Sequence, residues 1–249
     1  MRIGRRDHPQ WKFLRSIAES ERERRIAGKT LLDGIHLLEA YRGIPELVIV
    51  SASGLENAEV AACLTRAPLV ELPDAMFEQL STVKSPTGVM ALIAVSTPFE
   101  RVTGSCVVLD AVQDTGNVGS ILRSSAAAGI RHVVLGKGSA RAWSPRVLRA
   151  GMGAHFALQI HDGVDLGEAL ASYRGQVLAT EANSPKSLYG TDLTGNVAWL
   201  LGNEGAGLGE AARKLSTSSV SIPITANTES LNVAAAAAIC LFEQKRQRG

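Results

Sequence analysis

From Cys106 onward, short apolar runs alternate with amphipathic stretches. Strands are expected at 106–110, 132–136, 156–160 and 176–180, and helices at 117–128, 145–151 and 165–173 between them. Strands that are apolar at successive residues, rather than at every second one, are buried on both faces, and helical connections join parallel neighbours. The pattern therefore restricts this part of the chain to an α/β fold with a parallel sheet covered on both sides. In such sheets ligands bind beyond the carboxyl ends of the strands, so the strand-to-loop junctions are where function is expected. Ser144-Pro145 reads as a helix cap followed by proline at the first helical position, and Gly129 and Gly175 as helix stops.

Upstream the alternation is less regular. Helices are expected at 10–25, 32–40, 56–64 and 74–80, and strands at Glu46–Val50, Pro68–Glu71 and Gly88–Val95, a small α/β module. Pro98 and Gly104 interrupt the apolar pattern over 96–104. At about 150 residues per domain, a chain of 249 residues suits two domains, and the break divides it into 1–97 and 105–249.

Composition removes several function classes. The longest apolar run, Val233–Phe242, has ten residues, against the roughly 20 of a membrane-spanning helix. The amino terminus shows no apolar stretch behind its charges, so a cytoplasmic protein is expected. Cys63, Cys106 and Cys240 are widely separated and suit neither a disulfide framework nor a zinc site. The five histidines lack His-x-x-x-His spacing, and His155 and His161, flanking an expected strand, read as packing residues. No Gly-x-Ser-x-Gly occurs, which disfavours a serine hydrolase. The net charge is only +2, but residues 1–30 and 101–150 each carry an excess of five positive charges, two patches that suit a phosphate backbone or, as charge runs more often do, solvated helix faces.

Three polar, small-residue-rich segments each follow a strand. In Val107–Arg123, Asn117 is expected at a helix N-cap with Arg123 less than two turns further on. In Gly202–Gly209, four glycines in eight residues surround Glu204 and let backbone amides approach a ligand. That spacing matches neither the Walker loop nor Gly-x-Gly-x-x-Gly, which disfavours a nicotinamide-dependent dehydrogenase. In Ser219–Val233, Ser230 and Asn232 stand at the start of the last helix. Alone, the first segment suits an anion-binding helix start and an ordinary capped turn equally, and capping is the simpler account of the other two.

Together, in this order and with Asn-Glu-Gly and Glu-Ser-Leu-Asn-Val intact, the three segments resemble the motifs of the SpoU (TrmH-like) RNA ribose 2′-O-methyltransferases of the SPOUT class. Gly34–Glu39 and Ser85–Gly88 resemble that family's amino-terminal RNA-binding module, which is related to a ribosomal-protein fold. The resemblance implies a trefoil-knotted parallel sheet, a homodimer packed through the knot, and S-adenosylmethionine as cofactor. It implies that Gly202, Ile222 and Leu231 contact the cofactor, and that Asn117, Arg123, Glu204, Ser230 and Asn232 are catalytic or substrate-orienting. It further implies an RNA partner, ribosomal RNA before transfer RNA, gripped by the basic residues of 1–30 with Arg141, Arg146 and Arg149. Thr115, Ala206 and Ala234 depart from the family's common proline, glutamate and serine, and Ala226-Asn-Thr228 is also unusual. On this reading Asn117 and Glu204 hold Arg123 against the ribose hydroxyl, while Ser230 and Asn232 shape the pocket. A noncatalytic RNA-binding module that kept the fold is the competing class.

Overall fold

The computed structural model describes residues 1–64, 67–95 and 101–249, so the expected domain break falls partly outside the described residues, at 96–100. By compactness the chain forms two units, Met1–Ser96 with Trp143–Phe156, and Thr97–Ala142 with Ala157–Gly249.

The first unit runs α1 (Pro9–Glu19), α2 (Glu21–Ala27), β1 (Lys29–Asp33), α3 (Ile35–Ala40), β2 (Leu47–Ser51), α4 (Ala58–Cys63), β3 (Leu69–Leu72), α5 (Asp74–Phe77) and β4 (Val89–Ala94). Its sheet has the order β1-β4-β2-β3, antiparallel except for β2 with β3. The helix expected over 10–25 is two helices. Ser20 breaks it, donating its amide to the carbonyl of Ser16 and accepting the amide of Glu23 on Oγ at 3.2 Å. Ser20-x-x-Glu23 is a capping-box spacing, so the signal was in the sequence. The helix expected from 32 starts three residues later, because Leu31 and Leu32 lie in the edge strand β1, and Gly34, at φ +99°, turns the chain between them.

The second stretch of chain carries β5 (Cys106–Leu109), α6 (Thr115–Ala128), β6 (His132–Gly136), α7 (Pro145–Gly151), β7 (Gln159–Val164), α8 (Leu166–Leu170), β8 (Gln176–Thr180), β9 (Val197–Leu201), α9 (Glu210–Leu215), β10 (Ser218–Val220) and α10 (Val233–Arg248). Helix α7 belongs to the first unit by its packing. Leu148 is fully buried among Leu32, Val48 and Val50, and Thr30 Oγ1 donates to the carbonyl of Trp143 at 2.8 Å. Ser144 caps α7 with Pro145 at its first position, as expected.

In the second unit six strands, ordered β10-β8-β9-β5-β6-β7, are all parallel. Cys106, Val108, Ala198 and Leu200 face a core with Leu170, Leu208 and Ala212 from the α8 and α9 side. The alternate residues Val107, Leu109, Trp199 and Leu201 are as deeply buried on the other face, where α10 packs along α6 and β9. The expected strand at 156–160 begins later, since 154–157 is a 3₁₀ turn. Gly129 ends α6 in the left-handed conformation, as expected. Gly175 ends no helix: α8 stops at Leu170, and a Cβ at Gly175 would lie 2.5 Å from the carbonyl oxygen of Asn196. His155 is buried against Trp143, and His161 Nε2 lies 3.3 Å from His132 Nδ1, so both histidines are packing residues.

Candidate active site

Strand β9 delivers the chain into the tight loop Gly202–Gly209. Asn203 builds that loop. Its backbone pairs in both directions with Gly207 at 2.9 Å, its Oδ1 accepts the amides of Gly205 and Ala206, and its Nδ2 donates to the carbonyl of Ala111 at 2.9 Å. Gly202 is required by close approach, because a Cβ there would stand 2.3 Å from both Gly207 C and Leu208 N. The loop is further tied to the end of β5 by the Gly209 amide, which donates to Asp110 Oδ2 at 2.7 Å.

Glu204 projects from this loop toward the start of α6. Its carboxylate accepts Asn117 Nδ2 at 3.0 Å, the amide of Asp114 at 3.2 Å and the amide of Gln113 at 3.4 Å. Asn117 in turn accepts Asn232 Nδ2 on Oδ1 at 2.9 Å. Asn232 is the N-cap of α10, its Oδ1 receiving the amides of Ala234 and Ala235. One hydrogen-bonded chain, Asn232–Asn117–Glu204, thus joins all three polar segments, across separations of 115 and 87 residues.

Beside it opens a cleft of about 700 Å³ at the carboxyl ends of β8 and β9. Gly202, Glu204, Ile222, Ser230, Leu231 and Asn232 line it, so six of the eight expected site residues face one space. Asn117 adjoins it through its bonds to Glu204 and Asn232. Two expectations are corrected. Asp114, not Asn117, caps α6, accepting the amide of Asn117 at 2.7 Å, which leaves the Asn117 side chain free for the chain of bonds just described. Arg123 is not held by Asn117 and Glu204. Six residues along an α-helix turn through about 600°, leaving the two side chains about 120° apart around the axis. Arg123 is exposed, is not among the cleft's lining residues, and makes no hydrogen bond or ion pair among the described residues.

Sequence reasoning missed the far wall. Thr180 ends β8, Glu181 and Asn183 follow it, and Arg213 Nε donates to Glu181 Oε1 at 2.7 Å. The rule that sites lie beyond strand ends applies equally to β8 and would have flagged these residues.

Partial burial pushes the Glu204 carboxyl up, but hydrogen bonds from Asn117 and the backbone amides of Glu204, Asp114 and Gln113 outweigh it. They hold the carboxyl below the usual carboxylate range. With a native value below the unfolded one, near about 4.3, the stability this site contributes is full above that unfolded value and is lost as pH falls through the native value. Glu204→Gln is therefore expected to melt below the parent at neutral pH, with the gap closing in acid. Thermal midpoints measured between about pH 6 and about pH 3 check this. A gap that stays constant would mean that Glu204 is not the accepting anion.

The SpoU rRNA Methylase family profile matches residues 104–242, more than half of the chain. The chain belongs to the SpoU rRNA methylase family. It is also similar to other proteins over most or all of its length. The 23S rRNA (guanosine(2553)-2'-O)-methyltransferase RlmP of Bacillus subtilis is 28% identical over 243 residues, covering 93% of each chain. An RNA 2'-O ribose methyltransferase of known structure superposes with a TM-score of 0.80 at 28% identity, over 100% of this chain and 99% of that one. The SpoU methyltransferase AviRb of Streptomyces viridochromogenes, crystallised with AdoMet, shares the fold with a TM-score of 0.87 at 23% identity, over 97% and 98% of the two chains.

Proposed function

We propose that the chain is an S-adenosylmethionine-dependent RNA ribose 2′-O-methyltransferase acting on ribosomal RNA. The observation that carries this reading is the convergence of the three motif segments, through Asn232–Asn117–Glu204, on one acid-rich cleft. Glu181, Glu204 and Glu229 line the cleft, and Arg213, the one cation lining it among the described residues, is already paired with Glu181. A polyphosphate cofactor would find no unpaired counter-charge there among the described residues. S-adenosylmethionine carries no phosphate and has a cationic sulfonium, its adenosine suits the apolar wall of Leu201, Leu208, Ile222 and Leu231, and the volume is within the usual range for a small-molecule site.

Bound S-adenosylmethionine supplies an electrophilic methyl group. The protein's part is alignment, since holding two reactants in register is worth up to about 7–11 kcal/mol. Gly202, Ile222 and Leu231 hold the cofactor, while Ser230 and Asn232 shape the ribose side of the pocket. Asn117 and Glu204 lock the loops that carry these residues. Arg123 engages the substrate from outside the cleft. A guanidinium offers donors and no acceptor, so Arg123 donates to the 2′ oxygen and an adjacent RNA phosphate, lowering the hydroxyl's pKa while phosphate or water takes the proton.

The amino-terminal unit grips RNA backbone in this reading. Arg6, Lys12, Arg22 and Arg25 are exposed and have no acidic partner among the described residues, whereas Arg24 is spent on the carbonyls of Ile17 and Ala18. Arg146 and Arg149 on α7 are also exposed. The family's trefoil knot, with α10 as the threaded element, its homodimer and a cytoplasmic location belong to the same proposal. No helix among the described residues is long and apolar enough to cross a membrane.

Calorimetry with S-adenosylmethionine, followed by mapping of ribose methylations in RNA from cells with and without the gene, tests the reading. One ribosomal 2′-O-methyl group is expected to disappear. A methyl group lost from transfer RNA would move the substrate, and a folded protein that binds no cofactor would point to a noncatalytic RNA-binding module.

A further inference from the structure

A second concavity, of about 290 Å³, lies in the same unit at the opposite ends of the strands of the six-stranded sheet. The strands are all parallel and the cofactor cleft opens past Thr180 and Leu201, at their carboxyl ends. Ser105 and Arg131 immediately precede β5 and β6, so the cavity they border lies at the amino ends. Its walls carry Arg131, Lys245 and Arg248, with Thr103, Ser105 and the buried His132. No Asp or Glu lines it among the described residues.

The bland account makes these cations tethers for the end of α10. Lys245 Nζ donates to the carbonyl of Ala127 at 3.1 Å, and Arg248 Nη2 donates to Ser105 Oγ at 2.9 Å and to the carbonyl of Gly195. Those bonds engage one ammonium donor of three and one guanidinium nitrogen, and every acceptor is neutral. Arg246, next in sequence to Lys245, is by contrast paired with Glu243 at 2.8 Å. These bonds, with the Phe242 ring 5.7 Å from Lys245 Nζ, account for where Lys245 and Arg248 sit, but neither has an acidic partner among the described residues and both keep donors to spare beside a concave space.

We propose that this cavity is an anion site for a phosphoryl group, held by Lys245 and Arg248 with the Thr103 hydroxyl at its rim. A guanidinium fork and an ammonium suit tetrahedral phosphoryl oxygens, and the volume admits one phosphoryl group with its attached sugar. The group is either a backbone phosphodiester of RNA that passes beyond the methylated nucleotide, or free orthophosphate. Only the first source rests on the methyltransferase reading.

The test uses the full chain. Backbone NMR spectra are followed during titration with sodium phosphate against sodium chloride at matched ionic strength, and the affinity of a short fluorescent oligouridylate is measured by anisotropy. Saturable shifts are expected at Ser105 and Gly129, weakened at least about tenfold in the K245Q/R248Q double variant. Because Arg248 also fastens α10, Thr103→Glu is the second variant: it sets a carboxylate at the rim without removing any bond described above, and it is expected to weaken phosphate equally. If RNA is the source, both variants also weaken oligouridylate binding and lower its salt slope by about one. If orthophosphate is the source, RNA affinity is unchanged while phosphate binding is lost. Absence of saturable shifts, or shifts that persist in both variants, overturns the proposal. S-adenosylmethionine calorimetry on the same samples keeps the two readings apart, since cofactor binding at the carboxyl ends of the strands is expected to survive both variants.

Discussion

Gly202→Ala is expected to lower S-adenosylmethionine affinity at least about a hundredfold, roughly 2.8 kcal/mol at 1.4 kcal/mol per decade. The cause is backbone geometry. The added Cβ would stand 2.3 Å from Gly207 C and from Leu208 N, and neither atom can swing aside as a side chain would. Relief requires the 202–209 loop to open. That movement separates the Asn203–Gly207 pairing, lifts Leu208 from the core and carries Glu204 away from Asn117. Overpacking of this kind costs about 1–3 kcal/mol of stability as well, readable as a lower thermal midpoint. Gly205→Ala is the control. In the same loop, the nearest heavy atom to its Cβ is Asn203 Oδ1 at 3.7 Å, an ordinary contact, so affinity is expected within a few-fold of the parent. Calorimetry on the two variants decides the matter: equal losses would place the effect in loop flexibility and not at the Gly202 contact.

Arg123→Lys is expected to reduce turnover by roughly a hundred- to a thousandfold, the scale for removing one donor that stabilises developing negative charge. Cofactor affinity and thermal midpoint should be unchanged. The separation is clean because Arg123 is exposed, lies outside the cleft and has no bond to lose among the described residues, so surface substitution alone is worth about 0.5 kcal/mol or less. Lysine keeps the charge but loses the planar fork that contacts a hydroxyl and a phosphate together. Single-turnover methyl transfer with saturating cofactor and RNA is the measurement, and near-parental rates would remove Arg123 from the chemistry.

The parallel sheet and its two-sided burial were legible because apolar periodicity reports local geometry directly. Strands at 106–109, 132–136 and 176–180 and the helix α7 behind Ser144-Pro145 follow from runs and caps a few residues long. Errors arose where a local signal had two readings. Leu31 and Leu32 suit helix or strand equally, and pairing with β4 decided for strand. Gly175 looks like a helix stop in one dimension and is required by Asn196, which lies across the sheet in space.

The sequence by itself determined the fold class, the three polar segments and the residue types available to a methyl-transfer site. Only the tertiary structure decided that Asp114 takes over the capping of α6, that Asn117 is thereby released to bridge Glu204 and Asn232, and that Arg123 stands apart from them. It also decided that Lys245 and Arg248 come together at the amino ends of the strands. The physical reason is range: helix and strand preferences are settled among neighbours in the chain, whereas a hydrogen bond between residues 115 positions apart exists only once the intervening strands have paired and packed.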